Sequence, residues 1–321
     1  MKLSVLTVVL YHKTLEESLQ YLNNLGVHSI ELPTGGSPGK THCNPKDYLG
    51  HPEKIKELKA LFQKYDMSIC ALSTHVNGIH PDPKIAKAAK EDLEDSILLA
   101  EELGVDTIIT FSGCAGDSET AKHSNWVTCA WPTEFAEILK WQWEEKLIPF
   151  WKEEAAFAQK HGVHKIALEL HPGFMVYNTE TLLRLRAAVG DTIGANFDPS
   201  HLFWQGMDPV AAARAMRGAI YHVHAKDTKI DEQNTRINGA LDTKSMADLQ
   251  NRSWIFRTVG YGHAEGWWRD FISELKIGGY DGAISIEHED ALMSPEEGLE
   301  KAIHFLQGIL ICDSAEDLWW V

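Results

Sequence analysis

The chain has 321 residues, 44% hydrophobic and 24% charged, with a formal net charge of -16. That length can bury a large core, and the composition is ordinary globular usage. The acidic balance gives no electrostatic reason to approach a phosphate backbone, which argues against a nucleic acid partner. The five cysteines are scattered, with no C-x-x-C pair. They read as reduced thiols of a cytoplasmic protein, not as a disulfide framework or zinc knuckle.

Short apolar runs alternate with amphipathic stretches along the whole chain. Residues 3–8 read as a first strand. The run is too short for a secretion signal, is interrupted by Tyr11-His12-Lys13, and has no A-x-A site after it. A helix over 14–25 stops at Gly26, strand 29–32 follows, and then helix 52–65. Strand 68–72 leads to a long helix over 83–103 that stops at Gly104. Strand 107–111, a Trp-rich stretch and helix 143–161 come next, then strand 165–170 and helix 179–189. Strand 193–197, helix 209–216 and strand 220–225 precede a long polar loop. Helix 267–275, strand 283–287 and helix 295–306 complete the pattern. No stretch reaches the ~18 apolar residues that a membrane span needs.

About eight β-then-α units in alternation imply a parallel sheet with helices outside it. The count favours a closed (β/α)8 TIM barrel over an open doubly wound sheet, and no Gly-rich dinucleotide fingerprint follows the first strand. With no linker or low-complexity segment, the expectation is one domain over 1–321, with an inserted loop near 229–256 and a C-terminal tail over 308–321.

In such a barrel the C-terminal strand ends converge on one mouth. Strand five ends in Glu169 and His171, strand six in Asp198 and His201. Strand seven carries His222, His224, Lys226 and Asp227, and strand eight runs Ile284-Ser285-Ile286 straight into Glu287. By the two-residue period of a strand, His222, His224 and Lys226 share one face, as do Glu169 and His171. Carboxylates gathered in one mouth repel by ~4 kcal/mol per pair at ~4 Å and an effective dielectric of ~20. A divalent cation held by Glu169, Asp198, His224 and Glu287 offsets that repulsion. Three carboxylates and one imidazole favour Mn²⁺ or Mg²⁺, with Co²⁺ tolerated. The bland alternative, an acid that caps a helix or pairs with a base, applies to each residue singly. It is His288, on the opposite face, that reads as structural.

The set Glu169, Asp198-x-x-His201, His224-x-Lys226-Asp227 and Gly279-Tyr280-Asp281-Gly282 leading to Glu287 resembles the sugar phosphate isomerase/epimerase family. These are xylose isomerase-like TIM barrels, among them ketose 3-epimerases and inosose dehydratases. The resemblance covers nearly the whole chain and is strongest from about residue 165. It implies the same four metal ligands, a proton-exchanging role for Glu169 and Glu287, and substrate binding by His201. Ketose epimerases usually carry an Arg soon after the strand-seven His. Here Ile230 stands near that place, and Arg257 precedes the surviving Gly260-Tyr261-Gly262 turn. Arg257 either keeps the substrate-oxygen role or braces the loop.

The resemblance extends to the barrel subunits of enzymes that cleave oxidised C-glycosides, which makes His171 a candidate general acid or base; the alternative is that it orients a ligand. His75 and Lys226 join the candidate substrate-binding set. Trp126, in the region shared with Trp131, Trp141 and Trp143, reads as an aromatic wall over a sugar or as core. The expected function is a divalent-metal-dependent isomerase or epimerase acting on an unphosphorylated keto sugar or cyclitol. The alternative is a lyase, either an inosose-type dehydratase or a deglycosidase acting on a 3-oxo-glycoside. A barrel nuclease similar to endonuclease IV would need more histidines and a basic face. The expected assembly is a homo-oligomer, with a second, different subunit left open by the Trp-rich stretch and the Trp319-Trp320 tail.

Overall fold

The computed structural model describes residues 1–313. Trp319 and Trp320 lie outside the described residues. Eight parallel strands close into a barrel: β1 (Lys2–Leu6), β2 (Ser29–Gly36), β3 (Ser68–His75), β4 (Thr107–Thr110), β5 (Lys165–Glu169), β6 (Ile193–Phe197), β7 (Ile220–Ala225) and β10 (Ala283–Ile286). The order around the barrel is β1-β10-β7-β6-β5-β4-β3-β2, with β1 closing onto β2 through Val5 opposite Ile30. Strands such as β6 are buried along their whole length, because a parallel barrel strand has side chains inside on one face and helices against the other.

The connecting helices include α1 (Leu15–Asn24), α2 (Pro52–Lys64), α3 (Pro83–Leu103), α4 (Glu134–Trp141), α5 (Ile148–Lys160) and α6 (Thr179–Val189). The second half adds α7 (Pro199–Phe203), α8 (Pro209–Ala215), α9 (Glu232–Asn238), α10 (Glu265–Ile277) and α11 (Pro295–Gln307). Local chemistry sets their ends. Thr14 and Glu17 form a capping box on α1, and Gly104 ends α3 in the left-handed conformation. None of the helices among the described residues is long and apolar enough to cross a membrane.

Three boundaries differ from the sequence pattern. The first apolar run stops pairing at Leu6 and continues as a 3-10 turn over Thr7–Leu10, in which Val9 and Leu10 are buried by packing alone. The helix expected from 143 begins at Glu134, and its middle, Gln142–Leu147, is a π-helical stretch. Finally, the segment expected as a polar loop contains a two-stranded antiparallel ribbon, β8 (Asp227–Ile230) with β9 (Trp254–Arg257), enclosing α9. Trp254 stacks on Trp204 at 4.6 Å, which fastens this ribbon to the loop after α7. Buried Asp227 accepts hydrogen bonds from the backbone N–H of Gly260, Gly262 and His263 and so anchors the turn that follows β9.

Candidate metal centre

Glu169 ends β5, Asp198 follows β6, His224 lies near the end of β7 and Glu287 immediately follows β10. Barrel closure brings one donor atom from each within 4.8 Å of the others. Glu169, Asp198 and His224 are buried, while the Glu287 side chain keeps 15% exposure toward the mouth. His224 Nδ1 stands 3.0 Å from Glu287 Oε2 and 3.5 Å from Glu169 Oε2.

Asp198 combines both roles weighed for a strand-end acid. Its Oδ1 caps α7 by accepting from the Ser200 N–H at 2.8 Å. Its buried Oδ2 lies 3.1 Å from Lys226 Nζ and 3.2 Å from His201 Nε2, yet no donor among the described residues is aligned on it as a hydrogen bond. A buried carboxylate oxygen left in that condition suits a cation.

Histidines and an amide hold Glu169. His75 Nε2 reaches Oε2 at 3.0 Å, His201 Nε2 reaches Oε1 at 3.0 Å, and Asn196 Nδ2 donates to Oε2 at 3.2 Å. Burial opposes ionisation of Glu169, but the hydrogen bonds from His201 and His75 outweigh it and hold the carboxyl well below the ordinary range. At Glu287 burial is again overcome, here chiefly by Lys226 and His224, which bring the carboxyl down to about 2. Lys226, only 2% exposed at its side chain, contacts Asp198 at 3.1 Å, Glu287 at 2.8 Å and Glu289 at 3.0 Å. Burial disfavours its charge, but these carboxylates hold it protonated.

His171 turns its Nδ1 to the Pro172 carbonyl at 2.6 Å, so that nitrogen carries the proton. A ring nitrogen of His171 gathers with Glu169 and His201 within 4.8 Å. Burial, aided by neighbouring His201, pushes its pKa to about 3, so the ring is neutral at physiological pH. The rings of Phe111 and Phe174 stack beside it at 4.1 Å, and Phe256 lies 4.7 Å from Lys226 Nζ. Phe111 and Phe174 thus pack against His171, and Phe256 against His201 and Lys226.

Arg257 donates Nε to Asp290 at 3.0 Å and its guanidinium lies 5.3 Å from the Tyr261 ring, which braces the end of β9. Trp126 packs edge-on to Tyr177 at 5.3 Å in a side cavity with Trp143 and Arg184. Trp143 is core at 1% exposure, and Trp131 is 73% exposed. His288 is half-buried against α11, where a Cβ on Gly298 would fall 2.0 Å from His288 Cε1. A larger residue at 298 would therefore require the His288 ring to move.

Two residues at this centre carry signals that the strand-end search did not use. Asn196 precedes Asp198 by two and so shares its strand face. Glu31 sits in the middle of the apolar Ser29–Gly36 strand, fully buried, where an acid needs a partner.

The arrangement is that of a TIM barrel with an acidic, metal-competent mouth. The sequence model of the xylose isomerase-like TIM barrel family matches residues 19–309, and the chain belongs to that family. It is 40% identical over 309 residues to the uncharacterized protein YfiH of Bacillus subtilis, covering 96% of this chain and 98% of that protein. Among solved structures, the IolI protein with a binding zinc atom superposes with a TM-score of 0.66 at 19% identity, covering 97% of this chain and 98% of IolI. A D-tagatose 3-epimerase-like protein superposes with a TM-score of 0.63 at 21% identity, covering 96% and 98%. These two likenesses show the fold.

Proposed function

We propose that this protein is a divalent-metal-dependent isomerase or epimerase acting on a keto sugar or cyclitol. The reading is carried by the convergence of Glu169, Asp198, His224 and Glu287, one donor atom each within 4.8 Å, at the strand ends of a family barrel. The unaligned Oδ2 of Asp198 and the oxygen-rich donor set fit a hard cation such as Mn²⁺ or Mg²⁺. A divalent ion held by these four residues would polarise a carbonyl and the hydroxyl beside it and so acidify the C–H between them.

The protein's own groups do the rest. Glu287 is ionised at neutral pH and opens toward the mouth, so it can accept that proton. Lys226 holds the Glu287 carboxylate in place through a 2.8 Å contact. His75 and His201 orient Glu169 on the other side, where it can exchange a proton. Phe111 and Phe174 pack on His171, and Phe256 packs on His201 and Lys226, which puts apolar rings beside these polar groups.

The test is proton NMR in D₂O of Mg²⁺-loaded protein with free ketoses, inososes and 3-oxo-glycosides. Deuterium beside the carbonyl together with a new sugar isomer is the expected result. Exchange in none of the panel, with metal bound, refutes the reading. Glu287→Gln is expected to lose both the exchange and most of the bound Mn²⁺; unchanged metal content by elemental analysis would remove Glu287 from the centre.

A lyase outcome from the same first step is favoured by one observation. His171 is neutral and donates from Nδ1 to Pro172, which leaves its lone pair on Nε2, and one of its ring nitrogens gathers with Glu169 and His201 within 4.8 Å. Release of water or an aglycone in the same spectra, lost in His171→Gln, would assign the lyase.

A further inference from the structure

We propose that Glu31 is a positioning residue that selects which nitrogen of His224 faces the metal centre; this rests on the metal-centre reading above. Glu31 is 0% exposed and projects from β2 into the barrel interior. Its Oε2 lies 2.8 Å from His224 Nε2 and 3.1 Å from His222 Nε2. Since β2 and β7 are not neighbours in the barrel, both bonds cross the interior.

The tautomer follows from donor chemistry. An ionised carboxylate only accepts hydrogen bonds, so the Nε2 atoms of both histidines carry protons. In a neutral imidazole that leaves a lone pair on Nδ1. His224 Nδ1 is the atom that stands 3.0 Å from Glu287 Oε2, and Asn196 Nδ2 lies 3.1 Å from it. Glu31 thus grips the far edge of the ring while the near edge faces the other ligands. His222 shares the same Oε2 and fixes the carboxylate between two donors. A carboxylate hydrogen-bonded to the remote nitrogen of a ligating histidine orients the ring and raises its basicity.

The test is isothermal titration calorimetry of MnCl₂ into the EDTA-stripped full chain, for wild type and Glu31→Gln. The expected result is one site in both, with affinity roughly 10- to 100-fold weaker in Glu31→Gln. Wild type that binds while Glu31→Gln binds equally overturns the positioning role and leaves the metal centre standing. Wild type that does not bind overturns the metal centre itself, and this inference with it. Should Glu31→Gln not fold, the wild type carries the test. In ¹⁵N-histidine-labelled, Mg²⁺-loaded protein, long-range proton–nitrogen correlations are expected to show His224 protonated at Nε2. A proton on Nδ1 instead overturns the proposal.

Discussion

Replacing Lys226 with methionine keeps most of the buried stem and removes the charge that three carboxylates share. The ammonium lies 3.1 Å from Asp198, 2.8 Å from Glu287 and 3.0 Å from Glu289. At ~3 Å and an effective dielectric of ~20, the contacts to buried Asp198 and largely buried Glu287 are each worth about 5 kcal/mol before desolvation, while solvent screens the one to half-exposed Glu289. After desolvation, breaking a buried pair costs about 3–5 kcal/mol, because the carboxylates are left unbalanced. EDTA-stripped Lys226→Met is therefore expected to unfold about 3–5 kcal/mol more easily in urea, followed by tryptophan fluorescence. Added Mn²⁺ should restore more stability to the variant than to wild type, since at the proposed centre the wild-type ammonium would compete with the metal for the oxygens of Asp198 and Glu287. A ligand at 100 times its Kd contributes about 2.7 kcal/mol, enough to recover a large part of the loss. A stability loss under about 1 kcal/mol, or weaker Mn²⁺ binding by the variant, would refute this reasoning.

His171 gives the metal-free protein a pH dependence. Its folded pKa is depressed from 6.5 to about 3, so between those values the unfolded chain holds one proton more than the native state. Stability then rises with pH across that window by about 1.4 kcal/mol per pH unit and is lost as pH falls. His171→Gln is expected to flatten the urea midpoint against pH by that slope; superimposable profiles would count against it. The thiols provide a separate check on burial. Cys129 and Cys312 are exposed, whereas burial pushes Cys43 and Cys114 to about 12 and Cys70 to about 11. A thiol–disulfide reagent at pH 8 should modify two cysteines quickly and the other three only on denaturation. Rapid native labelling at Cys43 or Cys114, mapped by mass spectrometry, would contradict the packing.

How much was legible in advance follows from the range of the interactions. The eight βα units were readable because strand and helix periodicities are local, and so are the helix stops at Gly26 and Gly104. The four strand-end candidates were readable for a related reason. A carboxylate or imidazole at the end of an apolar run is visible in a few residues, and a parallel barrel puts all such ends on one face. The ribbon of β8 and β9 was not readable as such, since its pairing spans a polar segment whose order depends on Trp254 meeting Trp204.

What sequence alone could not decide is which side chain meets which. Arg257 and Trp126 were candidates by residue type, but their partners, Asp290 for the first and Tyr177 for the second, are visible only in the fold. Glu31 shows the limit most plainly. Its acid within a buried strand demanded a partner, yet the histidines that answer it are 191 and 193 residues further along the chain. Only closure of the barrel sets β2 across from β7. The distance between those groups is a property of that closure, and no local pattern encodes it.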